Sequence, residues 1–274
     1  MKVGYTEFSY GYAFTENLVR SLPTGPVGAP IFPNLVQEAQ LGFDVKINQP
    51  AAPLFFQFKL PERMKKGTAF EVSNGNCPGL VTPFYRIGLM RSDLSKQHRH
   101  LIELEERFPS CVFYAAPCLA DIHAFNRSYG LGRVFRDSAF FSPREIGPLP
   151  DNKQHTLAYR RDLAHAFFCS EPQAMRKWSF DDVIEKIEAL LKQKQFSDAR
   201  AAARNARDQI VELASSGWRR QSAGLADRIR VRVQTVQSTL APDTEREETI
   251  TDLLVAREIA RVDLGVEMLL AQPS

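Results

Sequence analysis

The stretch Leu54-Phe55-Phe56-Gln57-Phe58-Lys59-Leu60 decides how the first half of this sequence is interpreted. It is apolar apart from one glutamine and one lysine, and its dense aromatic content favours a β-strand. Side chains alternate across a strand, so Gln57 and Lys59 share one face while Phe56 and Phe58 share the other. Because an apolar strand seldom buries polar side chains without a reason, these two residues indicate a functional site.

A second strand is predicted just before this one, over residues 41–47, and the proline-containing segment 48–53 is typical of a hairpin turn. In this strand Asp44 shares one face with Gly42 and Lys46. We therefore expect the hairpin to bring the Asp44 carboxylate, the Gln57 amide and the Lys59 ammonium to one end of a sheet.

The flanking segments supply the rest of an α/β core. Apolar residues spaced by four predict a helix over 10–22, which Pro23 ends. Downstream, a helix is predicted over 92–108 and a buried strand over 111–116. This order of elements predicts a mixed sheet flanked by helices.

The composition changes near residue 172, where proline and aromatic residues give way to alanine, arginine, glutamate and leucine. Apolar stripes at helical spacing follow, and Ser179 with Asp182 resembles a capping pair at the start of the first helix. Ile250, Leu254, Leu264 and Met268 belong to the last stripe. The sequence therefore predicts one domain over 1–172 and an all-helical assembly domain over 173–274.

Charge and composition exclude several classes of protein. Hydrophobic residues make up 44% of the 274 residues, which is a globular balance, and no apolar run is long enough to span a membrane. The start of the chain lacks the apolar core of a signal peptide, and the four cysteines lack metal-ligand spacing, so we expect a cytoplasmic protein. No motif of a serine hydrolase, an NTPase, a dinucleotide-binding enzyme or an HExxH zinc hydrolase is present.

A basic run lies between Arg200 and Arg232, with eight arginines against three acidic residues. Over residues 170–274, however, 16 basic residues face 17 acidic ones. Nucleic-acid binding needs a net excess of cations, so this balance favours assembly with a partner subunit or a second copy over DNA binding by this region.

Phosphodiester hydrolysis requires the groups that the hairpin brings together. A divalent cation prefers oxygen ligands, which Asp44 and the Gln57 amide can supply. A lysine beside it can orient the attacking water and offset the charge that develops on the phosphate. Gln97 and His98, on the helix after the hairpin, are further candidates to contact phosphate or metal.

This pattern resembles the PD-(D/E)xK nuclease superfamily, also called the restriction-endonuclease-like fold. The matching residues are Gly42-Phe43-Asp44 and Gln57-Phe58-Lys59, and the glutamine form is similar to the Mrr-like branch. The resemblance covers about residues 5–120 and implies a third carboxylate in the metal site. Glu16 on the first helix ranks first for that role, Glu38 second and Glu7 third.

The resemblance implies an Mg²⁺- or Mn²⁺-dependent endonuclease that cleaves DNA, in an antiphage or restriction setting. Catalysis would then involve Glu16, Asp44, Gln57 and Lys59, and the metal ligands would be Asp44, Gln57 and Glu38. An activating partner is also expected, since an unregulated nuclease is toxic. The glutamine at position 57 leaves an alternative open, which is a degenerate nuclease-like module that binds nucleic acid or a partner protein without cleaving.

Overall fold

The structure is a computed structural model that describes residues 2–21, 50–73, 75, 77–193, 197–217 and 244–272. It is a mixed α/β fold with two sheets, in agreement with the predicted fold class. The α-helices are α1 (Glu7–Arg20), α2 (Phe70–Ser73), α3 (Gln97–Arg107), α4 (Ile122–Gly130), α5 (Pro143–Ile146), α6 (Phe180–Lys192), α7 (Ala199–Gly217) and α8 (Thr244–Ile259). The strands are β1 (Ala52–Phe58), β2 (Glu62–Met64), β3 (Phe84–Leu89), β4 (Val112–Pro117), β5 (Ser138–Phe141), β6 (His155–Tyr159), β7 (His165–Phe168), β8 (Gln173–Arg176) and β9 (Glu267–Ala271).

The two sheets differ in their connectivity. One has the strand order β5-β4-β1-β9 and the other the order β2-β3-β6-β7-β8. The backbone N–H groups of Phe55 and Lys59 donate to the carbonyls of Cys111 and Ala115, 2.8 and 2.9 Å away. Both acceptors lie the same number of residues after their donors, so β1 and β4 run parallel. β9 pairs with β1 antiparallel, and β5 pairs with β4 antiparallel.

The chain divides into two compact units, each built from several separate segments. The first comprises residues 1–22, 57–105 and 112–184, and the second comprises 23–56, 106–111 and 185–274. The sequence, by contrast, predicts two consecutive domains divided at residue 172.

In the first unit, aromatic side chains from α1 and the sheets form the core around the end of β1. The ring of Phe58 packs edge-on against Tyr10 and Phe14, with both centroid distances at 5.3 Å. Gly11 lies between these two residues on α1, and a Cβ there would come within 2.8 Å of the Phe58 ring. This close approach requires glycine and fixes α1 on the Phe58 face of the strand.

In the second unit, α7 packs against α8. Ala199, Ala202, Ala203 and Ala206 are fully buried along one face of α7. Ion pairs tie the same two helices together at their edges, joining Arg200 to Glu245 and Arg207 to Asp252.

Several predicted elements are confirmed with shifted ends. α1, β4 and α6 lie where the sequence places them, and the Ser179–Asp182 capping pair forms, with the Asp182 N–H donating to Ser179 Oγ at 3.1 Å. β1 begins at Ala52, within the predicted turn, because Ala52 and Pro53 already pair with β9. The predicted partner strand 41–47 lies outside the described residues.

The prediction of an all-helical C-terminal region is wrong, because β8 and β9 both lie within it. α8 continues into a π-helical turn, Ala260–Leu264, and Gly265 then adopts the left-handed conformation with φ 68°. The chain leaves the helix at this glycine, so Met268 lies in β9, opposite Phe55, and not on a helical stripe. The spacing of Met268 fitted a helix only because an apolar position in a strand can coincide with the helical period.

The position of Met268 can be tested by truncating its side chain. Met268 is 3% exposed, so Met268→Ala is expected to lower the free energy of unfolding by about 2–5 kcal/mol through lost burial and the cavity left behind. Val262, which is 57% exposed, provides the control, and Val262→Ala should change this quantity by less than about 0.5 kcal/mol. Equal effects in urea denaturation would contradict the pairing of β9 with β1.

Candidate functional site

Lys59 follows the last residue of β1, and the strand places Gln57 on the same face. Phe58, between them, faces α1, so the alternation predicted from the sequence is confirmed. Gln57 is 5% exposed, and Lys59 is partly buried. Two polar side chains therefore lie at the end of an otherwise apolar strand, where their hydrogen-bonding groups require partners.

Gln97, the first residue of α3, supplies those partners. The Lys59 Nζ donates to Gln97 Oε1 at 3.4 Å, and Gln97 Nε2 donates to Gln57 Oε1 at 2.8 Å. Gln57 Nε2 in turn donates to the carbonyl of Phe58 at 3.1 Å. An ammonium can only donate and a carbonyl can only accept, so this chain of hydrogen bonds has one direction and fixes both amide orientations.

The ring of Tyr114 on β4 closes the group from another side, with its centroid 5.9 Å from Lys59 Nζ. Its hydroxyl lies 2.9 Å from His98 Nδ1, and His98 Nε2 lies 2.8 Å from the carbonyl of Gly147. Burial lowers the pKa of His98, so its ring is neutral. Because the Gly147 carbonyl can only accept, Nε2 carries the proton and Nδ1 accepts from Tyr114.

Glu7, the first residue of α1, carries the carboxylate whose charge acts on Lys59. Desolvation raises the pKa of Glu7, while the Lys59 charge and a hydrogen bond from the Leu60 N–H act in the opposite direction. Burial lowers the pKa of Lys59, and the Glu7 charge opposes that shift. The two side chains thus form an acid–base pair at the end of β1. We call Glu7, Gln57, Lys59 and Gln97 the Lys59 group.

The structure does not bring Glu16 to the Lys59 group, although the sequence ranks it first. Glu16 is 1% exposed, is ion-paired with Arg20 and accepts a hydrogen bond from Asn17 at 3.0 Å. It lies nine residues after Glu7, which is about 13 Å along the helix axis and half a turn away in direction. Glu7, ranked third, is the candidate whose charge acts on Lys59, and the role of each carboxylate in a metal site stays a prediction.

Asp44 and Glu38 lie outside the described residues, so their roles as metal ligands stay predictions. Within the residues that the structure does describe, no cluster of three or more histidine, cysteine, aspartate or glutamate side chains is arranged to hold a metal ion. The oxygen donors of the Lys59 group are one carboxylate, on Glu7, and the amides of Gln57 and Gln97, which already accept from Gln97 and Lys59 respectively. These donors alone do not fit a site for Mg²⁺ or Mn²⁺.

The sequence gives only weak signals for Gln97 and Tyr114. Gln97 was a candidate only through its position on the helix after the predicted hairpin. Tyr114 appeared as one residue of an apolar run, and the only signal was that a buried tyrosine hydroxyl needs a hydrogen-bond partner.

Two arginines of the basic run form ion pairs between α7 and α8. Arg200 and Arg207 form ion pairs with Glu245 and Asp252 on α8. These two arginines are therefore engaged within the second unit. Arg219 and the four arginines that follow it in the run lie outside the described residues.

Comparison of the chain with protein-family models, with curated proteins and with solved structures gives no match. The resemblance to nucleases therefore rests on the residues of this chain alone. None of the helices in the described ranges is both long and apolar enough to cross a lipid bilayer.

The neutral state of His98 predicts a pH dependence of stability. Its pKa in the folded protein lies below the unfolded value of about 6.5, so the unfolded chain binds a proton more readily as the pH falls. The free energy of unfolding should then decrease from about pH 7 towards the lowered pKa and level off below it. A glutamine can donate to Gly147 and accept from Tyr114 without titrating, so His98→Gln should weaken this pH dependence.

Urea denaturation between about pH 7 and about pH 4 measures the difference between the wild type and the variant. The exposed His123 provides the control, since His123→Gln should leave the pH dependence of the wild type unchanged. An identical profile for His98→Gln would show that the ring binds its proton as readily in the folded protein as in the unfolded chain.

Proposed function

We propose that this protein is a phosphodiester hydrolase of the nuclease type that acts on DNA, and that the Lys59 group belongs to its active site. The observation that carries the proposal is the convergence of Lys59, Gln57, Gln97 and Glu7 at the end of a strand whose other face is apolar. A restriction-endonuclease-like core is part of the same proposal. The parallel pair β1 and β4, with α3 between them in sequence, supports it.

The chemistry needs a cation at the phosphate and a base for the attacking water. Lys59 offsets the negative charge that develops on the phosphate oxygens, and its hydrogen bond to Gln97 Oε1 restricts where its ammonium can lie. Glu7 accepts the proton of the attacking water as general base. The water oxygen forms the new bond to phosphorus, the bond to the leaving oxygen breaks, and that oxygen takes up a proton.

The proposal includes a requirement for Mg²⁺ or Mn²⁺, which depends on Asp44 and Glu38. Both lie in residues 22–49. The carboxylates of Asp44 and Glu38 would supply the hard oxygen ligands that these ions prefer. The ion would add to the positive charge that Lys59 places at the phosphate.

The setting is also proposed and not observed. A cytoplasmic enzyme of antiphage defence or restriction, held inactive until a partner subunit or a second copy binds through the C-terminal region, accords with the resemblance. DNA as the substrate rests on the same analogy.

A second candidate function is favoured by one observation. The Gln57 oxygen, which would contact the metal, accepts from Gln97, and the described donors include a single carboxylate near Lys59. Both features accord with a module that binds nucleic acid or a partner protein without cleaving it. Cleavage assays separate the two functions.

Lys59→Met tests the proposed activity directly. Methionine keeps the length of the side chain and removes the ammonium, so the rate of cleavage of plasmid or oligonucleotide DNA should fall by about 10²- to 10⁴-fold. Wild-type cleavage should be lost in a chelator and return with Mg²⁺ or Mn²⁺. Lys177 provides a matched control, because burial also lowers its pKa while its Nζ donates to the carbonyls of Arg160 and Arg161.

Lys177→Met should therefore retain the wild-type rate when its folded fraction is taken into account. Wild-type protein that binds DNA but shows no cleavage dependent on Lys59 would establish the second candidate function instead.

The identity of the participating carboxylates can be tested with a series of isosteric amide variants. Glu7→Gln should lower the cleavage rate at least about a hundredfold, because it removes the carboxylate beside Lys59. Glu16→Gln should affect the melting temperature more than the rate, because Glu16 is buried against Arg20. Asp44→Asn and Glu38→Gln in the same assay test the metal ligands. If Glu16→Gln is inactive and Glu7→Gln cleaves at the wild-type rate, Glu16 is the participating carboxylate, as the sequence analysis ranks it.

A further inference from the structure

A serine, a histidine and an aspartate are connected by polar contacts in the first unit. Ser170 Oγ lies 2.7 Å from His155 Nδ1. His155 Nε2 lies 3.1 Å from Asp151 Oδ1 and 3.3 Å from the carbonyl oxygen of the same residue. We call these three residues the Ser170 group, which shares no member with the Lys59 group.

The pairing of β6 with β7 brings Ser170 to His155. The two strands run antiparallel, and beyond the last paired residue of β7 the Cys169 N–H donates to the Thr156 carbonyl at 3.0 Å. One residue further, the same register sets Ser170 opposite His155. The hydroxyl and the imidazole thus meet through the geometry of the sheet, although the sequence contains no GxSxG motif of a serine hydrolase.

The hydrogen bonds of the Ser170 group run in the direction that a nucleophile and its base require. The neighbours of His155 Nε2 are a carboxylate and a carbonyl oxygen, which only accept, so Nε2 carries the proton of the neutral ring. Nδ1 then accepts the proton of the Ser170 hydroxyl. A hydroxyl within reach of a base that a third group orients is the arrangement that activates serine for attack.

The surroundings fix the base and leave the nucleophile accessible. His155 is 1% exposed, and its ring stacks on that of Phe168 with a centroid distance of 5.5 Å. The Lys153 N–H donates to Asp151 Oδ1 at 2.6 Å, and this bond lowers the pKa of Asp151, which keeps its carboxylate charged. Ser170 lies in the exposed turn between β7 and β8. A substrate can therefore reach Ser170 Oγ while the imidazole behind it stays in place.

We propose that Ser170 is the nucleophile of a second hydrolytic site, which acts on esters of small carboxylic acids. Ser170 Oγ forms a bond to the ester carbonyl carbon and its proton passes to His155 Nδ1, which gives it to the leaving oxygen as the ester bond breaks. Water then attacks the acyl group on Ser170. Nδ1 takes a proton from this water and returns it to Oγ as the carboxylic acid leaves. This inference goes beyond the proposed nuclease function and does not depend on it.

The chain contains a matched control for the nucleophile. Ser92 is also exposed, and its Oγ donates to Asn152 Oδ1 at 2.5 Å and to the carbonyl of Asp151 at 3.3 Å. Neither oxygen is a base that could take up the hydroxyl proton. Ser92 thus shares the exposure of Ser170 and contacts the same segment, but its hydroxyl is not activated.

The test treats the full chain with a fluorophosphonate, which forms a covalent bond to an activated serine and releases fluoride. Mass spectrometry locates the adduct, and release of nitrophenolate from p-nitrophenyl acetate measures ester hydrolysis. The wild type should carry the adduct on Ser170 and not on Ser92. Ser170→Ala should lose the adduct and lower the rate of ester hydrolysis by about 10²- to 10⁴-fold, whereas Ser92→Ala should retain both.

Asp151→Asn distinguishes a positioned base from a merely exposed hydroxyl. The Asp151 side chain is 44% exposed, so this variant should keep the melting temperature of the wild type while the fluorophosphonate labels Ser170 at least about tenfold more slowly. Equal labelling of Ser170 and Ser92, or ester hydrolysis at the wild-type rate in Ser170→Ala, would overturn the proposal. Labelling at an unchanged rate in Asp151→Asn would also overturn it, because the hydroxyl would then react without an oriented base.

Discussion

Strand β1 has hydrogen-bonded partners along both edges, and the rest of the described fold depends on this constraint. β4 lies parallel to it on one side and β9 antiparallel on the other. A strand held in this way cannot shift its register by one residue without exchanging its two faces. The pairing therefore fixes Phe58 towards α1 and keeps Lys59 and Gln57 on the opposite side, where α3 provides their partners.

The parts of this arrangement that follow from local rules could be predicted from the sequence. Alternation along a strand predicts that Gln57 and Lys59 share a face, and a capping pattern predicts where α6 begins. The contact between Gln57 and Gln97 could not be predicted, because it joins residues forty positions apart and depends on how α3 packs on the sheet. Hydrophobic periodicity predicts which face of a helix or strand is buried. It does not predict which other element packs against that face.

The choice between the carboxylates shows the same limit. The sequence ranks Glu16 above Glu7 because its place on the first helix matches the pattern of a known family. In the structure, it is the N-terminal end of α1 that meets the end of β1, so the residue that opens the helix reaches Lys59 and the residue within it pairs with Arg20. Which residue of α1 lies near Lys59 depends on how the helix packs across β1. The sequence of neither element predicts that packing.

The pairing of β1 with β9 also has a consequence for biosynthesis. Phe56 is opposite Glu267, so one edge of β1 has no partner until the ribosome has released the residues of β9. Contacts between such distant positions form slowly, and an open edge rich in phenylalanine is a template for association with other chains. The nascent protein therefore passes through an interval in which this edge is open to association with other chains, and expression at low temperature or with added chaperone should raise the soluble yield.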